Sequence, residues 1–553
     1  MADPKGDFRY NTSQIPLKAV YGPEDVADLE YTGDISDPGQ YPFVRGLYPM
    51  MYRFQPWMKG MVSGFGLPEE TNARQKQLLA DGQHGYGGQP MIHIAFDMPS
   101  HYGYDPDHAL AQGEVGKCGI SLCSLQDMEM LLDGLPIENT YVSLNADCTG
   151  HVILAMYVAL AQKRGVSLER LSGVVNNGHL KGYMGDNMSR FPPRAALTMT
   201  IDAVRYCTQN LPNFMPVTIV AYNLRDSGMT AVQEIAFNMS MALEIVKKSV
   251  DSGLNVDDFA GNISWFFASH SNFFEEICKL RAARKVWARL MRERFGAKNP
   301  KSWRLKIWIQ TSGSTLTRQE PLNNVARVAF QGLAAVLAGV QGIATTSYDE
   351  ALALPTVEAQ RVALRTQQII EHETGVTDVA DPLGGSYYVE ALTSEMETQA
   401  FALLDKIEEM GGYLAGLDNG FIPREVANSA LRFQQEIERG ERIIVGVNKY
   451  VSDESAPVDT FAQNPRVQEI AVERLQKMKQ ERDNGRVERA LAALRAAAEA
   501  GEAMMPHMIE AAGAYASLGE IMATLRDVFG EWDRKPVLAQ SGAAASPSSA
   551  APC

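Results

Sequence analysis

Between Met91 and Gly385 the sequence repeats one pattern: a short apolar run that stops abruptly in polar residues. Met91–Phe96 stops at Asp97–His101, Tyr141–Leu144 at Asn145, and Leu171–Val175 at Asn176. Pro216–Ala221 stops at Tyr222-Asn223. Gly261–Phe267, Leu305–Ile309 (before Gln310), Gly342–Thr346 (before Ser347) and Thr377–Ala380 (before Asp381) complete the series. Helical periodicity fills the intervals, in Val152–Lys163, Arg194–Cys207, Thr230–Val250, Phe273–Phe295, Asn323–Ala338 and Val357–His372. Strands alternating with helices predict a parallel sheet, and about eight such units predict closure into a (β/α)8 TIM barrel. In that architecture the interior is packed and chemistry sits on the loops after the strands. The Asn, Asp, Gln, Ser and Thr residues that follow these runs fit such a rim.

The flanks read differently. Residues 1–45 are polar and rich in Gly, Pro and Asp, and predict an extended N-terminal arm. Tyr48–Phe65 is dense in Met and aromatics, which suits either core or oligomer contact or a loop closing over a long ligand. The barrel is assigned to 46–392 and a C-terminal helical region to 393–535, with amphipathic stretches at Ser394–Glu409, Arg424–Arg439 and Val467–Arg482. Gly485–Glu502, Met504–Ala514 and Leu518–Phe529 follow, and the low-complexity stretch 536–553 predicts a disordered tail.

With 553 residues, the chain exceeds the roughly 250 of a bare barrel. A net charge of −15 argues against nucleic-acid binding as the main role. Six cysteines form no CxxC pair and no zinc-type spacing, so free thiols in a reducing cytoplasm are expected, and no metal-ligating set. No apolar leader or long apolar run is evident, which predicts a cytoplasmic protein with no membrane partner.

The sequence contains no phosphate loop, zinc motif or nucleophile elbow. Gly85-Tyr-Gly-Gly88 reads as a turn. Asp97 and His101 share a strand end, where a lone histidine is more often structural than a ligand. Glu350 follows a strand, where a carboxylate also suits a helix N-terminus. From these residues alone the reading is an α/β-barrel enzyme with a neutral-to-acidic rim.

Several stretches, in order, resemble the large subunit of the methylmalonyl-CoA mutase family. They are Arg45-Gly-Leu-Tyr-Pro-Met-Met-Tyr52, Ala95–Asp105, Leu280–Trp287, Gln310-Thr-Ser-Gly313, Asp349-Glu-Ala351, Asp381–Tyr388 and Val445–Tyr450, within about Tyr41–Trp532. The resemblance implies an isomerase, an adenosylcobalamin-dependent acyl-CoA mutase that rearranges a carbon skeleton by radical chemistry in a (β/α)8 barrel. The family's Asp-x-His-x-x-Gly cobalamin motif is absent, so a separate small cobalamin-binding subunit and an α2β2-like hetero-oligomer are implied.

Carried over one residue at a time, the cofactor face is retained. Phe96, Met98 and His101 fall at corrin contacts, Gly313 at another, and Glu350, Ala351 and Leu354 at positions holding the adenosyl and corrin groups. Asp226 stands where the family has Glu. The substrate face departs. Tyr222, Asn223 and Asp186 fall at catalytic positions, but Asn223 replaces a histidine that hydrogen-bonds the thioester carbonyl. Asp186 replaces the arginine that binds a free carboxylate, and a carboxylate there repels such a substrate. Tyr48, Met51, Val62, Asn176, Ser264 and Gln310 fall at substrate positions, with Val62 in place of a tyrosine. Trp308 replaces a second histidine, and Gln55, Gly60 and Asn262 replace arginines that hold coenzyme A. Lys59, Lys301 and Lys306 are candidate replacements. The sequence therefore supports two readings: a mutase with an altered substrate, or a non-catalytic barrel subunit of a mutase complex.

Overall fold

The computed structural model describes residues 9–184, 189–452 and 458–532. Asp186 and the proposed tail, 536–553, lie outside the described residues. The architecture is mixed α/β, with parallel sheets enclosed by helices.

Besides an antiparallel pair in the arm, Arg9–Tyr10 with Pro16–Leu17, the strands are those of two parallel sheets: β1 (Met58–Lys59), β2 (Met91–Ala95), β3 (Tyr141–Asn145), β4 (Ser172–Val175), β5 (Phe214–Met215), β6 (Val217–Val220), β7 (Ile263–Ser269), β8 (Lys306–Thr311) and β9 (Gly342–Ala344). One sheet runs β2-β3-β4-β5 and the other β1-β9-β8-β7-β6. Every pairing within them is parallel. Pro216 separates β5 from β6, because proline has no N–H for a ladder bond. β5 pairs back to β4 and β6 forward to β7, so one interrupted strand belongs to both sheets. At the other edge, the chain leaving β1 bridges Ser63 to Ile94 of β2 in parallel register.

One strand assignment is corrected. Thr377–Ala380 forms turns and bends, not a strand. The additional strand of the parallel sheets is β1, inside the Met/aromatic stretch, where Met58 and Lys59 pair with Gly342 and Ile343. Two residues are too few for a visible alternation, so only the pairing reveals it. Trp57, Met58, Met61 and Phe65 are buried, so this part of the stretch is core, whereas Met50 and Phe54 are exposed.

The helices follow their sequence signals. Ala231–Asp251 opens on a capping box, Thr230 with Gln233, and buries a broad apolar face. Gly150–Lys163 is buried from Gly150 through Ala161, because helix Met505–Gly513 covers the face turned away from the strands. The arm is tied down by the Glu275 carboxylate, which accepts from the Thr12 and Ser13 N–H groups at 3.1 and 2.8 Å. Arg45 adds an ion pair with Asp381 at 2.9 Å. The C-terminal helices dock on Asp105, which accepts from Ser517 Oγ at 2.6 Å and Gly519 N–H at 2.8 Å and pairs with Lys479 at 3.2 Å.

A fully buried ion cluster underlies the β6 and β7 ends. Lys279 Nζ lies 2.7 Å from Glu234 and also pairs with Glu276, and Arg225 lies 3.2 Å from Glu276. Glu234 Oε1 accepts from Ala268 N–H and Lys279 donates to Ala268 O, which fixes the end of β7. Burial pushes the Glu234 carboxyl up to about 7. Burial raises Glu276 too, but Lys279 and Arg225 outweigh it and hold that group down. Among the described residues, no helix is long and apolar enough to cross a membrane.

Candidate active site

The C-terminal strand ends bring much of the expected site together. Tyr222, Asn223 and Asp226 lie on the short helix Tyr222–Asp226 directly after β6. The Gly313 N–H donates to Tyr222 Oη at 3.1 Å. Asp226 accepts from the Ser312 hydroxyl, from Ser314 Oγ at 2.9 Å and from Ser314 N–H at 3.3 Å. The loop after β8 is thereby stapled to the loop after β6. A side chain at 313 would meet Tyr222 Oη at 3.0 Å, Glu350 Oε1 at 3.6 Å and Asp226 Oδ2 at 3.7 Å. Gly313 is the hub of these three groups, and its missing Cβ leaves the space between them open.

Beside this hub a cavity of about 650 Å³ opens at the ends of β2, β8 and β9. Val62, Gln310, Glu350, Ala351 and Leu354 line it, together with Cys118. Glu350 is in the turn after β9 rather than at a helix N-terminus. Burial pushes its carboxyl up to about 7, and the negative charges of Asp349 and Asp226 add to the rise. By surface area Glu350 is exposed, and it exposes that area into the cavity. Water in the open cavity moderates the rise. Burial likewise raises Tyr222 well above the usual phenol range, with Asp226 and Glu350 adding to it, so Tyr222 stays a neutral hydroxyl.

Phe96, Met98 and His101 are grouped at the end of β2. Phe96 is buried and its ring centroid stands 6.5 Å from that of His101. Helix Met98–Tyr102 is capped by Asp97, which accepts from Ser100 N–H at 2.9 Å and Gly116 N–H at 2.6 Å.

A second, smaller cavity lies among the inward-facing side chains of the strands, where Asn176 and Ser264 are found. Asn176 donates to Asn145 Oδ1 at 2.6 Å, and Asn145 contacts His93 Nε2 at 2.7 Å. Burial lowers His93 to about 4, so its imidazole is neutral near pH 7. Trp308 crosses this space, 5.5 Å centroid to centroid from His93. It rests on Gly342, where a Cβ would lie 1.8 Å from the indole, and on Gly60, where one would lie 3.0 Å away.

Tyr48 and Met51 are not brought to the rim. Met51 lines a separate small cavity beside Arg284, at the start of β9, and Tyr48 packs over Arg304, before β8. Lys59 is committed to an ion pair with Glu371, and only Lys306 of the candidate lysines lines the inner cavity.

Sequence reading missed a buried polar chain across four strand ends. His101 Nδ1 lies 3.4 Å from Asp147, Asp147 lies 3.0 Å from Lys181, and Lys181 donates to Asn223 Oδ1 at 3.0 Å. Asp147 sits at φ 48°, a conformation costly for a residue with a Cβ. No spacing signals this chain, because its members come from four different loops.

A family model described as methylmalonyl-CoA mutase matches residues 10–531. The chain belongs to the methylmalonyl-CoA mutase family. It is 39% identical over 530 residues to the 2-hydroxyisobutanoyl-CoA mutase large subunit of Aquincola tertiaricarbonis, covering 96% of this chain and 93% of that one. It is 39% identical to the methylmalonyl-CoA mutase of Rhizobium meliloti, over 96% of this chain and 74% of the relative. With the human mitochondrial methylmalonyl-CoA mutase it shares 37% identity, over 95% of this chain and 69% of that protein. The larger relatives therefore hold sequence that this alignment does not reach.

The family's cofactor, adenosylcobalamin, fits the donor set at the rim. The open space at Gly313 borders Tyr222, Asp226 and Glu350, which offer a hydroxyl and two carboxylates to a hydroxyl-bearing ligand. The adjoining cavity is lined largely by small and apolar side chains such as Val62, Ala351 and Leu354.

Proposed function

We propose that this chain is the substrate-binding large subunit of an adenosylcobalamin-dependent acyl-CoA mutase whose substrate is not methylmalonyl-CoA. Family membership supplies the reaction class, an isomerisation by carbon-skeleton rearrangement. Bound adenosylcobalamin supplies the hydrogen-abstracting radical for such a rearrangement. The observation that carries the reading is the Tyr222–Gly313–Asp226–Glu350 hub beside a cavity of about 650 Å³.

Within this reading Glu350 holds hydroxyls of the adenosyl group, and Phe96, Met98, His101, Asp226, Gly313, Ala351 and Leu354 complete the cofactor face. Asn223 donates to the thioester carbonyl, and Tyr222 stands beside it as a neutral hydroxyl. Val62, Asn176, Ser264 and Gln310 shape the acyl pocket, and the negative charge of Asp186 excludes a second carboxylate. Tyr48 and Met51, at the opposite strand ends, are assigned to the far part of a long ligand. The two sheets are two arcs of one (β/α)8 barrel, a reading supported by the strand shared across Pro216 and the Ser63–Ile94 bridge. The arm is assigned to 1–45, the barrel to 46–392 and the helical region to 393–535. A separate small cobalamin-binding subunit completes a cytoplasmic hetero-oligomer.

The test combines the chain with a small cobalamin-binding subunit and adenosylcobalamin, then screens acyl-CoAs by product analysis and electron paramagnetic resonance. Turnover of an acyl-CoA lacking a second carboxylate, with a cob(II)alamin signal, is expected. Turnover of methylmalonyl-CoA alone overturns the substrate assignment. Absence of a radical signal with every thioester leaves the non-catalytic barrel subunit as the function.

A further inference from the structure

We propose that Lys181 is a positioning residue that locks the Asn223 amide, so that its NH2 end is the one presented to the substrate carbonyl. This inference rests on the acyl-CoA reading above.

Lys181 stands in the turn His179–Tyr183 after β4 and is 2% exposed. Its ammonium lies 3.0 Å from Asn223 Oδ1 and 3.0 Å from Asp147 Oδ1. An ammonium has donors and no acceptor, so the amide atom facing it must be oxygen. That partner removes the usual ambiguity of an asparagine flip. Asn223 is thereby left with its two N–H donors on the prong turned away from Lys181. Asp147, held between Lys181 and His101 at 3.0 and 3.4 Å, fixes the ammonium from behind. Its φ of 48° is the kind of backbone cost that surrounding contacts must sustain.

The chemical consequence is specific. A freely rotating asparagine presents oxygen or nitrogen indifferently, and oxygen repels a carbonyl oxygen. A locked one is a dedicated donor, which suits a thioester or amide carbonyl and disfavours a group that itself donates. The lock thus gives a neutral side chain the directional donation of an imidazolium, without a titratable proton.

The experiment uses butyryl-CoA labelled with 13C at the thioester carbonyl and infrared difference spectra on binding to the full chain. In the wild type the carbonyl stretch moves to lower frequency. In Lys181→Met the downshift is lost while affinity stays within about threefold, and in Lys181→Arg it is kept. Asn223→Asp preserves an acceptor for Lys181, and hence the fold, but has no N–H donor. It is expected to lose the downshift at an unchanged or higher melting temperature. A wild-type downshift retained in Lys181→Met or in Asn223→Asp overturns the proposal. A wild-type chain that binds no acyl-CoA overturns the substrate reading instead. The lock is then read by neutron diffraction from Lys181→Met crystals, which separates the amide oxygen from Nδ2: a turned Asn223 amide supports it and an unmoved one overturns it.

Discussion

Glu350 shows how one position sets a measurable property. Burial, with Asp349 and Asp226 adding to it, pushes its carboxyl up toward about 7, and water in the cavity holds it below that limit, so its charge changes on the acid side of neutrality. Ribose hydroxyls donate more strongly to a carboxylate than to a carboxylic acid. Adenosylcobalamin affinity of the complete complex is therefore expected to rise as pH increases toward about 7. Glu350→Gln should flatten that dependence and weaken binding at pH 8 by about tenfold, the scale of one charge-assisted hydrogen bond. Spectroscopic titration at pH 6 and pH 8 checks both. At Asn223 the expectation is negative: Asn223→His alone confers no methylmalonyl-CoA turnover, because on the proposed reading the Asp186 charge still opposes a second carboxylate. Appreciable turnover by that single variant contradicts the electrostatic argument.

At the scale of elements, the β6 and β7 ends depend on buried charges as well as on apolar packing. Removing Lys279 leaves Glu234 and Glu276 to share the single charge of Arg225 in the interior. Lys279→Met is expected to destabilise the fold by about 3–5 kcal/mol, the cost of breaking a buried pair, read from denaturant unfolding. The helix Met505–Gly513 has its own anchor, since Asp202 accepts from the Met504 and Met505 N–H groups at 3.1 and 2.7 Å. Burial pushes Asp202 up to about 6 against those two donors. A carboxyl raised above its unfolded value of 3.8 contributes stability that is fully present below that value. That contribution is lost as pH rises through about 6. Asp202→Asn should flatten this component of the pH–stability profile. Asp202→Ala, which orphans both donors, should cost about 1–2 kcal/mol.

For the whole molecule, the question is how the C-terminal helices stay on the strands that build the site. Asp105, two residues past Gly103 at the end of β2's loop helix, collects Ser517, Gly519 and Lys479. Asp105→Ala is expected to loosen the helices beyond Val467, giving earlier proteolysis there while the strands stay protected. Limited digestion followed by mass spectrometry separates that outcome from global unfolding. Because the helix Met98–Tyr102 adjoins this anchor, the same variant should weaken cofactor binding without touching the Glu350 hub.

The family, the alternating order of strands and helices, and the gathering of polar residues after the strands are all written in the linear order of residues. Each is local or linear: hydrophobic periodicity, turn residues, or a motif read in order. Helices such as Ala231–Asp251 and Val357–Glu373 were legible within a residue or two, because a long apolar stripe and a cap specify them together. Tertiary structure alone decided what depends on distant pairing. It placed a strand at Met58–Lys59 and none at Thr377–Ala380, because two residues become a strand only when β9 hydrogen-bonds them. It seated Trp308 over Gly60 and Gly342, which are 282 residues apart. It also joined His101, Asp147, Lys181 and Asn223 into one buried chain, since burial forces charges to find partners wherever the fold brings them.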